Sequence, residues 1–344
     1  MTSVDHTFRP AAASSSERRR ESVSIALAGI SLVVVAAIAI PVLGFRAAPI
    51  AGPGSVGQFA AISSAVVAAV VFVLGRWSVR DRSRSIGLFD LLDTLALTIA
   101  HAVVALLTWT LLADILARGF IDADVFPVAA ILLSGGLAAI TAYAVSFIAT
   151  HLDLLTFAAV LALFLVEGVL AATLTSSDPH WWTMNLSALG MTDDLSARTF
   201  NLTVIVAGFL VTTLARHSTA SLPSAKPNGV RWLRVCLVVL GICLMIVGLF
   251  PVDDFFLLHT GFASGMVLVF LIVVVLLPRW VPGMPAAFIV LSYVLVGVVL
   301  IATVQFIAGG YTLTAVELVG GLMVFTWLIL FIRNAAALTA DADT

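Results

Sequence analysis

The sequence contains few of the residues on which soluble enzymes and disulfide-stabilised domains rely. Its 344 residues include two cysteines, and only 10% of the side chains are charged. The only lysine, Lys226, lies in the polar stretch STASLPSAKPNG, which excludes a Schiff base inside an apolar segment. The motifs HExxH and GxSxG, the Walker loop and the dinucleotide-binding fingerprint are absent, so no enzyme family defined by them is indicated.

The two cysteines, Cys236 and Cys243, are seven residues apart and share one face of a predicted helix. Two small packing residues are favoured over a disulfide or a metal site at this spacing in an apolar helix. We therefore expect no metal and no cofactor.

The sequence is instead rich in long apolar runs. It is 61% hydrophobic with a mean hydropathy of +1.16, which is more apolar surface than one soluble core can bury. Windows of about 20 apolar residues predict an all-α, polytopic membrane helix bundle with ten transmembrane helices. The predicted ranges are about 23–44, 58–75, 88–113, 128–149, 154–175, 199–215, 231–250, 257–277, 286–308 and 312–332.

Basic residues are distributed unevenly over the predicted connections. With a cytoplasmic N-terminus, 14 of the 17 Lys and Arg residues fall on the cytoplasmic side, and Arg46, Arg118 and Arg198 fall outside. This distribution predicts that both termini are cytoplasmic. It also accounts for the basic residues, so nucleic acid is not an expected partner. The Arg-rich, Ala/Val/Leu-rich composition indicates a bacterial chain, for which the cell (plasma) membrane is the expected location.

Composition divides the chain into four predicted parts. Residues 1–20 and 335–344 are polar enough to be cytoplasmic tails. Residues 21–150 form an N-terminal membrane unit of four helices, and residues 151–334 form a membrane domain of six helices. Membrane lipids are the expected partners, and contacts with other helices or a second copy are left open.

Polar side chains recur at similar depth in the last six predicted helices. Ionisable groups inside a membrane are costly and normally face the bundle interior or a wet cavity. We therefore expect a polar chamber open to the extracytoplasmic side. Its candidate residues are Glu167, Asn201, His259, Gln305 and Glu317. Two other interpretations stay open: His259 as an interfacial histidine bonded to the backbone, and the two glutamates as protonated groups that link helices.

The stretch HWWTMNLSALGMTDDLSARTFN is a long polar connection between two apolar segments. It is long enough to fold back over the bundle as a lid, with its Trp pair in the headgroup layer and its polar residues towards the chamber. The loop candidates, with the acidic pair of the following outer loop, are Trp181, Trp182, Asn185, Ser187, Asp193, Asp194, Asp253 and Asp254. The tryptophans are also typical interface anchors, and Ser196 or Thr199 is well placed to cap the sixth helix.

A second polar stripe follows one face of the third predicted helix. It consists of Asp90, Asp93, Thr94, Thr98 and His101. A proton path is conceivable, but inward-facing packing, with the two aspartates capping near Arg82 and Arg84, is the favoured interpretation.

Short motifs in the second half of the chain carry a resemblance. Ser187, Leu189 and Gly190 are followed by Phe200 and Asn201 at the head of a helix. Gly248, Pro251 and His259 follow later. This order resembles a bacterial six-helix membrane protein family of unknown function related to the damage-regulated autophagy modulators (DRAM) and to the GPI-anchor lipid-remodelling (FRAG-type) proteins, over about 154–334. The resemblance implies lipid handling or sensing and no settled catalytic activity.

Three functions remain open at this point. A non-enzymatic lipid-binding, lipid-organising or lipid-sensing protein is favoured, followed by a transporter of a lipid or small solute. The third is an intramembrane enzyme acting on lipid or envelope substrates. In that case His259 would be the acid/base and Asp253, Asp254 or Glu167 its carboxylate partner, within about 3 Å of one another or of a shared water.

Overall fold

The protein is described here by a computed structural model that covers residues 15–342 except 82, 84–86, 221 and 223–225. Ten helices in the described residues are long and apolar enough to cross a membrane, which confirms the prediction of an all-α polytopic membrane protein. They are α1 Ser15–Leu43, α2 Val56–Ser78, α3 Leu88–Gly119, α4 Pro127–Thr150, α5 Leu154–Thr175, α6 Leu195–Ala220, α7 Pro227–Leu249, α8 Phe256–Trp280, α9 Ala286–Ile307 and α10 Leu313–Ala342.

The observed helix boundaries differ from the predicted ones mainly at the ends of the chain, at α6 and at α3, which continues six residues past its predicted end to Gly119. Helix α1 begins at Ser15 and α10 continues to Ala342, so both helices extend into the predicted tails. Residues 1–14 and 343–344 lie outside the described part. Helix α6 begins at Leu195 because Asp194 caps it, its Oδ1 accepting from the Ala197 amide at 2.9 Å. The prediction that Ser196 or Thr199 caps this helix is wrong.

Helices that cross a membrane one after another run in alternating directions, so the connections of these ten helices alternate between two ends of the bundle. The end with the connections after α1, α3, α5, α7 and α9 is called the loop end, and the other is called the termini end. At the loop end, the short strands β1 (Ala48–Pro49) and β2 (Asp124–Val125) pair antiparallel. The α5–α6 connection forms two 3₁₀ turns, η1 (Trp181–Thr183) and η2 (Leu186–Gly190).

Arginines at the termini end contact the carboxyl ends of helices. Arg20 donates to the Thr150 carbonyl at 3.4 Å, and Arg234 donates to both the hydroxyl and the carbonyl of Thr219, at 2.7 and 3.1 Å. The last carbonyls of a helix have no partner within the helix, and its C-terminal end attracts cations. These arginines therefore donate hydrogen bonds to the carbonyl groups that end α4 and α6.

One large apolar cluster runs through the bundle. Helix α1 packs on α4, and α2 packs on α3 and α4, while α5, α6, α7 and α8 pack in sequence and α10 contacts both α9 and α5. Helix α3 joins the two groups by packing on α5 and α6. The cluster extends from Phe72 on α2 through Phe164 on α5 to Trp327 on α10. The division at residue 150 into two units stays a prediction, and the buried core is continuous across it.

Asp93 of α3 forms the main charged contact between these two groups of helices. Its carboxylate accepts from Thr213 at 2.9 Å and lies 3.1 Å from His217 Nε2 and 3.5 Å from Arg216, all on α6. Asp90 caps its own helix by accepting from the Gly87 amide. Arg82 and Arg84, the partners expected from the sequence, lie outside the described residues.

Farther along the same stripe, Thr94 and Thr98 donate to backbone carbonyls of their own helix. His101 is buried, stacks on Phe72 and bonds the Leu97 carbonyl through Nδ1. These residues contribute packing and local hydrogen bonds along α3.

Helices α6 and α7 approach most closely at two glycines. A Cβ on Gly241 would lie 2.6 Å from the Gly208 carbonyl oxygen, and a Cβ on Gly208 would lie 2.7 Å from the Met245 amide nitrogen. Small residues allow this backbone contact, which drives helix association in lipid. By contrast, a Cβ on Gly297, in the middle of α9, would meet nothing within 4 Å.

We expect Gly241→Ala to destabilise the bundle by about 1–3 kcal/mol, because the added methyl overpacks the α6–α7 contact. The control Gly297→Ala should leave stability unchanged or raise it by roughly 0.5–1 kcal/mol through better helix propensity. Thermal unfolding in detergent measures both. Equal midpoints for the two variants would contradict the close contact.

Candidate functional site

The α5–α6 loop, residues 176–194, is closed at its base by Asp194. The Oδ2 atom of this residue accepts from the amide and the hydroxyl of Ser177 at 3.1 and 2.6 Å, while Oδ1 caps α6. The hydrogen bonds from Ser177, with those from Thr192 and the Ala197 amide, hold the pKa of Asp194 well below its usual range. Asp194 was expected to point towards the chamber, and its bonds instead join the two ends of the loop.

The middle of the loop is bonded to α8 through Ser187 and His259. The Ser187 hydroxyl lies 3.0 Å from His259 Nε2, and His259 Nδ1 lies 2.8 Å from the Phe250 carbonyl oxygen. A carbonyl oxygen only accepts, so Nδ1 carries the proton, and in the neutral imidazole Nε2 accepts from Ser187. His259 is 5% exposed, so this pair is shielded from the surface.

The same part of the loop is bonded to α10. Oε2 of Glu317 accepts from the backbone amide of Leu186. Two buried oxygens close to this bond in the chain, Oδ1 of Asn185 and Oγ1 of Thr314, have no hydrogen-bond partner. Thr314 is one helical turn from Glu317 on α10, and Asn185 directly precedes Leu186. We call Asn185, Ser187, His259, Thr314 and Glu317 the loop cluster.

Asn201 and Gly190 fix the far end of η2 on α6. The Asn201 side chain donates to the Gly190 carbonyl at 3.1 Å. A Cβ on Gly190 would lie 3.0 Å from the Phe200 ring and closer still to the Asn201 side chain, so only glycine fits here. Trp181 is half-buried against the apolar cluster that includes Leu186, whereas Trp182 is 50% exposed. The interface position of the pair stays a prediction.

The other candidate residues lie outside the loop cluster. Glu167 accepts from Thr108 of α3 at 2.7 Å and so joins α5 to α3. Gln305, near the end of α9, is exposed, as are Asp193, Asp253 and Asp254. The hydrogen bonds of His259 go to Phe250 and Ser187, so the described contacts include no carboxylate at this histidine.

The structure also contains a groove far from the candidate residues. It has a volume of about 380 Å³ and lies on α7 at the termini end, where Asn228, Arg231, Trp232 and Val235 line it. None of the predicted site residues contributes to it. Among the described residues no three His, Cys, Asp or Glu side chains are grouped so as to hold a metal ion.

Sequence reasoning missed Thr108, which donates to Glu167, and Thr314, whose buried hydroxyl has no partner. Threonine is common in membrane helices and usually bonds its own backbone, so type alone does not identify a partner. Spacing was the available signal for Thr314, which lies three residues before Glu317 on one helix face. Nothing in the sequence pairs Thr108 with Glu167, 59 residues later.

These features define a multi-pass helical membrane protein whose longest described connection is bonded to α6, α8 and α10. The chain belongs to the family described as protein of unknown function (DUF998), whose model matches residues 156–334. The match begins in the first turn of α5 and ends inside α10, so it includes the loop and every residue of the loop cluster. No curated protein matches the chain, and no solved structure does. The relation to the DRAM and GPI-anchor lipid-remodelling proteins rests on the short motifs and stays a prediction.

We expect Asp194→Ala to loosen the loop, because it removes the α6 cap and both bonds to Ser177. Loss of a cap costs about 1 kcal/mol, so amide exchange over residues 177–197 should become roughly fivefold faster. Hydrogen–deuterium exchange measures this, and the exposed neighbour Asp193→Ala serves as the control. Equal exchange in the two variants would show that Asp194 does not hold the loop.

The contribution of Asp194 depends on pH with a definite sign. The folded pKa is lowered, so the stabilisation is complete above the ordinary carboxyl pKa of about 4. It is lost as the pH falls from there through the lowered folded value.

Proposed function

We propose that the protein is a non-enzymatic membrane protein that binds the polar headgroup of a lipid at the loop cluster. The observation that supports this most directly is a pair of unpartnered buried oxygens: one on Asn185, which precedes the Leu186 amide bonded to Glu317, and one on Thr314, one helical turn before Glu317. Buried polar atoms are nearly always hydrogen-bonded, and leaving one unpaired costs about 1–3 kcal/mol. A headgroup bound there would supply the missing donors, while its acyl chains extend along the apolar helix surfaces.

The position of the loop cluster supports a lipid from the extracytoplasmic leaflet. The loop end carries the acidic loops, and the termini end carries Arg20, Arg76, Arg216 and Arg234. Because basic residues collect on the cytoplasmic side, we propose that both termini are cytoplasmic and that the loop cluster faces outwards. The proposed relation to lipid-handling families agrees with such a role.

A second candidate function follows from the Ser187–His259 pair. A serine hydroxyl 3.0 Å from an imidazole that is oriented by a third group is the arrangement of a nucleophile with its general base. In such an enzyme the Ser187 oxygen would attack a lipid ester carbonyl as His259 Nε2 takes the proton. The same bond also serves simply to hold the loop, so lipid binding is preferred.

Transport is supported less specifically. Transporters that use discontinuous helices place unwound backbone at the substrate site, whereas the ten spanning helices are each continuous in the described residues. The glycines of ELVGGLMV, Gly320 and Gly321, lie in open space and mark no helix contact.

For lipid binding, we expect Glu317→Gln to lower the amount of lipid retained through gentle purification by about tenfold, because the substitution removes a charge-assisted acceptor. Native mass spectrometry measures the retained lipid. Glu167→Gln is the matched control, since this carboxylate bonds α3 instead of the loop and its loss should leave retention unchanged. Identical lipid retention in all three proteins would exclude a headgroup site at Glu317.

For the enzyme, a serine-reactive fluorophosphonate provides the decisive measurement. A nucleophilic Ser187 would be labelled in the native protein, and His259→Gln would slow the labelling by about 100-fold through loss of the general base. Ser176→Ala, at a loop serine whose hydroxyl bonds only the Asp178 carbonyl, should label normally, and Ser187→Ala should not label. No labelling of the folded native protein would leave the Ser187–His259 bond as a structural contact.

A further inference from the structure

The unpartnered oxygens of the loop cluster and the Glu317 carboxylate can all accept a hydrogen bond. Oδ1 of Asn185 is an acceptor only, the Glu317 carboxylate is an acceptor only, and Oγ1 of Thr314 has free lone pairs. Two nearby donors are already in use: the Leu186 amide is bonded to Glu317, and the Ser187 hydroxyl is bonded to His259. Asn185 Oδ1 and the Glu317 carboxylate only accept, so a ligand that bonds them must bring hydrogen-bond donors.

The negative charge of Glu317 also calls for a ligand that brings a donor. Glu317 lies within the span of α10, about 6 Å from its first residue at 1.5 Å per residue. The ion pairs among the described residues involve Asp93, Arg216 and His217, and none includes Glu317. A carboxylate shielded from water without a cation is costly and needs either a proton or a positive partner.

Resting on the proposed function, we propose that the loop cluster binds the primary ammonium group of an amine-bearing lipid headgroup. An ammonium carries three N–H donors, and the cluster offers oxygens on Asn185, Thr314 and Glu317 to receive them. Its positive charge also neutralises Glu317. A quaternary ammonium has no N–H donor, and a phosphate brings only acceptors, so neither can bond Asn185 Oδ1 or the Glu317 carboxylate.

The surroundings of the cluster favour a cation as well. The connections at the loop end carry one exposed arginine, Arg46, and a larger number of exposed acidic residues: Asp122, Asp124, Asp178, Asp193, Asp253 and Asp254. Such a surface raises the local concentration of cations. Trp181, half-buried beneath the loop, adds an aromatic ring in the same apolar cluster as Leu186.

The test is a competition among lipids that differ only in their headgroups. The native protein is exposed to equimolar phosphatidylethanolamine, phosphatidylcholine and phosphatidylglycerol with identical acyl chains, and the bound lipids are counted by native mass spectrometry. We expect phosphatidylethanolamine to be retained roughly tenfold over phosphatidylcholine, because charge-assisted hydrogen bonds are lost in the latter. The two share a phosphate and a zero net charge, so a preference reports the N–H donors.

A conservative variant links any preference to the site. Thr314→Val keeps the volume of the side chain but removes its hydroxyl, and it should reduce the preference severalfold. Thr303→Val, a threonine of α9 that bonds its own Val299 carbonyl, is the control and should keep it. The wild-type competition decides the question even where a variant fails to fold.

The remaining outcomes separate this inference from the function on which it rests. Retention of all three lipids in equal amounts by the native protein would overturn the ammonium site and leave lipid binding standing. Retention of none would overturn both. Full displacement of the lipid by water-soluble glycerophosphoethanolamine would support the ammonium site and show that the acyl chains add nothing to binding, against the lipid proposal.

Discussion

The need to pair polar groups without help from water determines how this protein is built. In a membrane the backbone must satisfy itself, so the chain spans it ten times as helices. Side chains that remain polar at depth must then find partners on other helices, and they do so at few places: Asp93 with three residues of α6, Glu167 with Thr108, and Glu317 with the loop. Apolar packing alone allows several arrangements of the helices, and these contacts determine which helices lie side by side. Lipid tails are as apolar as leucine, so such bonds carry much of the specificity.

Buried polar atoms without a partner occur at several places in the described residues: on Ser64, His101, Glu167 and Ser218, and in the loop cluster on Asn185 and Thr314. The loop itself is held by two 3₁₀ turns and by side chains of α6, α8 and α10, so it is a fixed part of the bundle. Buried polar atoms without a partner are usually found where a ligand or a water completes the structure.

The number, type and approximate limits of the helices could be predicted from the sequence, because span length and hydropathy depend only on local composition. Predicting five polar residues at one depth was a weaker inference, since depth says nothing about rotation around the helix axis. His259 and Glu317 do reach the loop, whereas Glu167 turns towards α3 and Gln305 lies exposed. The same difficulty applies to Asp194 in the loop. Its carboxylate is expected from the sequence to face the chamber, but it caps α6. Long-range pairing of this type requires the three-dimensional packing of the helices.

The contact of α3 with α5 and α6 also bears on how the family-matched segment could exist by itself. If α1–α4 were removed, Glu167 would lose Thr108, Thr213 would lose Asp93, and a polar strip would be exposed to lipid. A shorter relative would need either apolar residues at these positions or a second protein to cover them. In this protein α3 supplies, within the same chain, the polar partners that the matched helices α5 and α6 require.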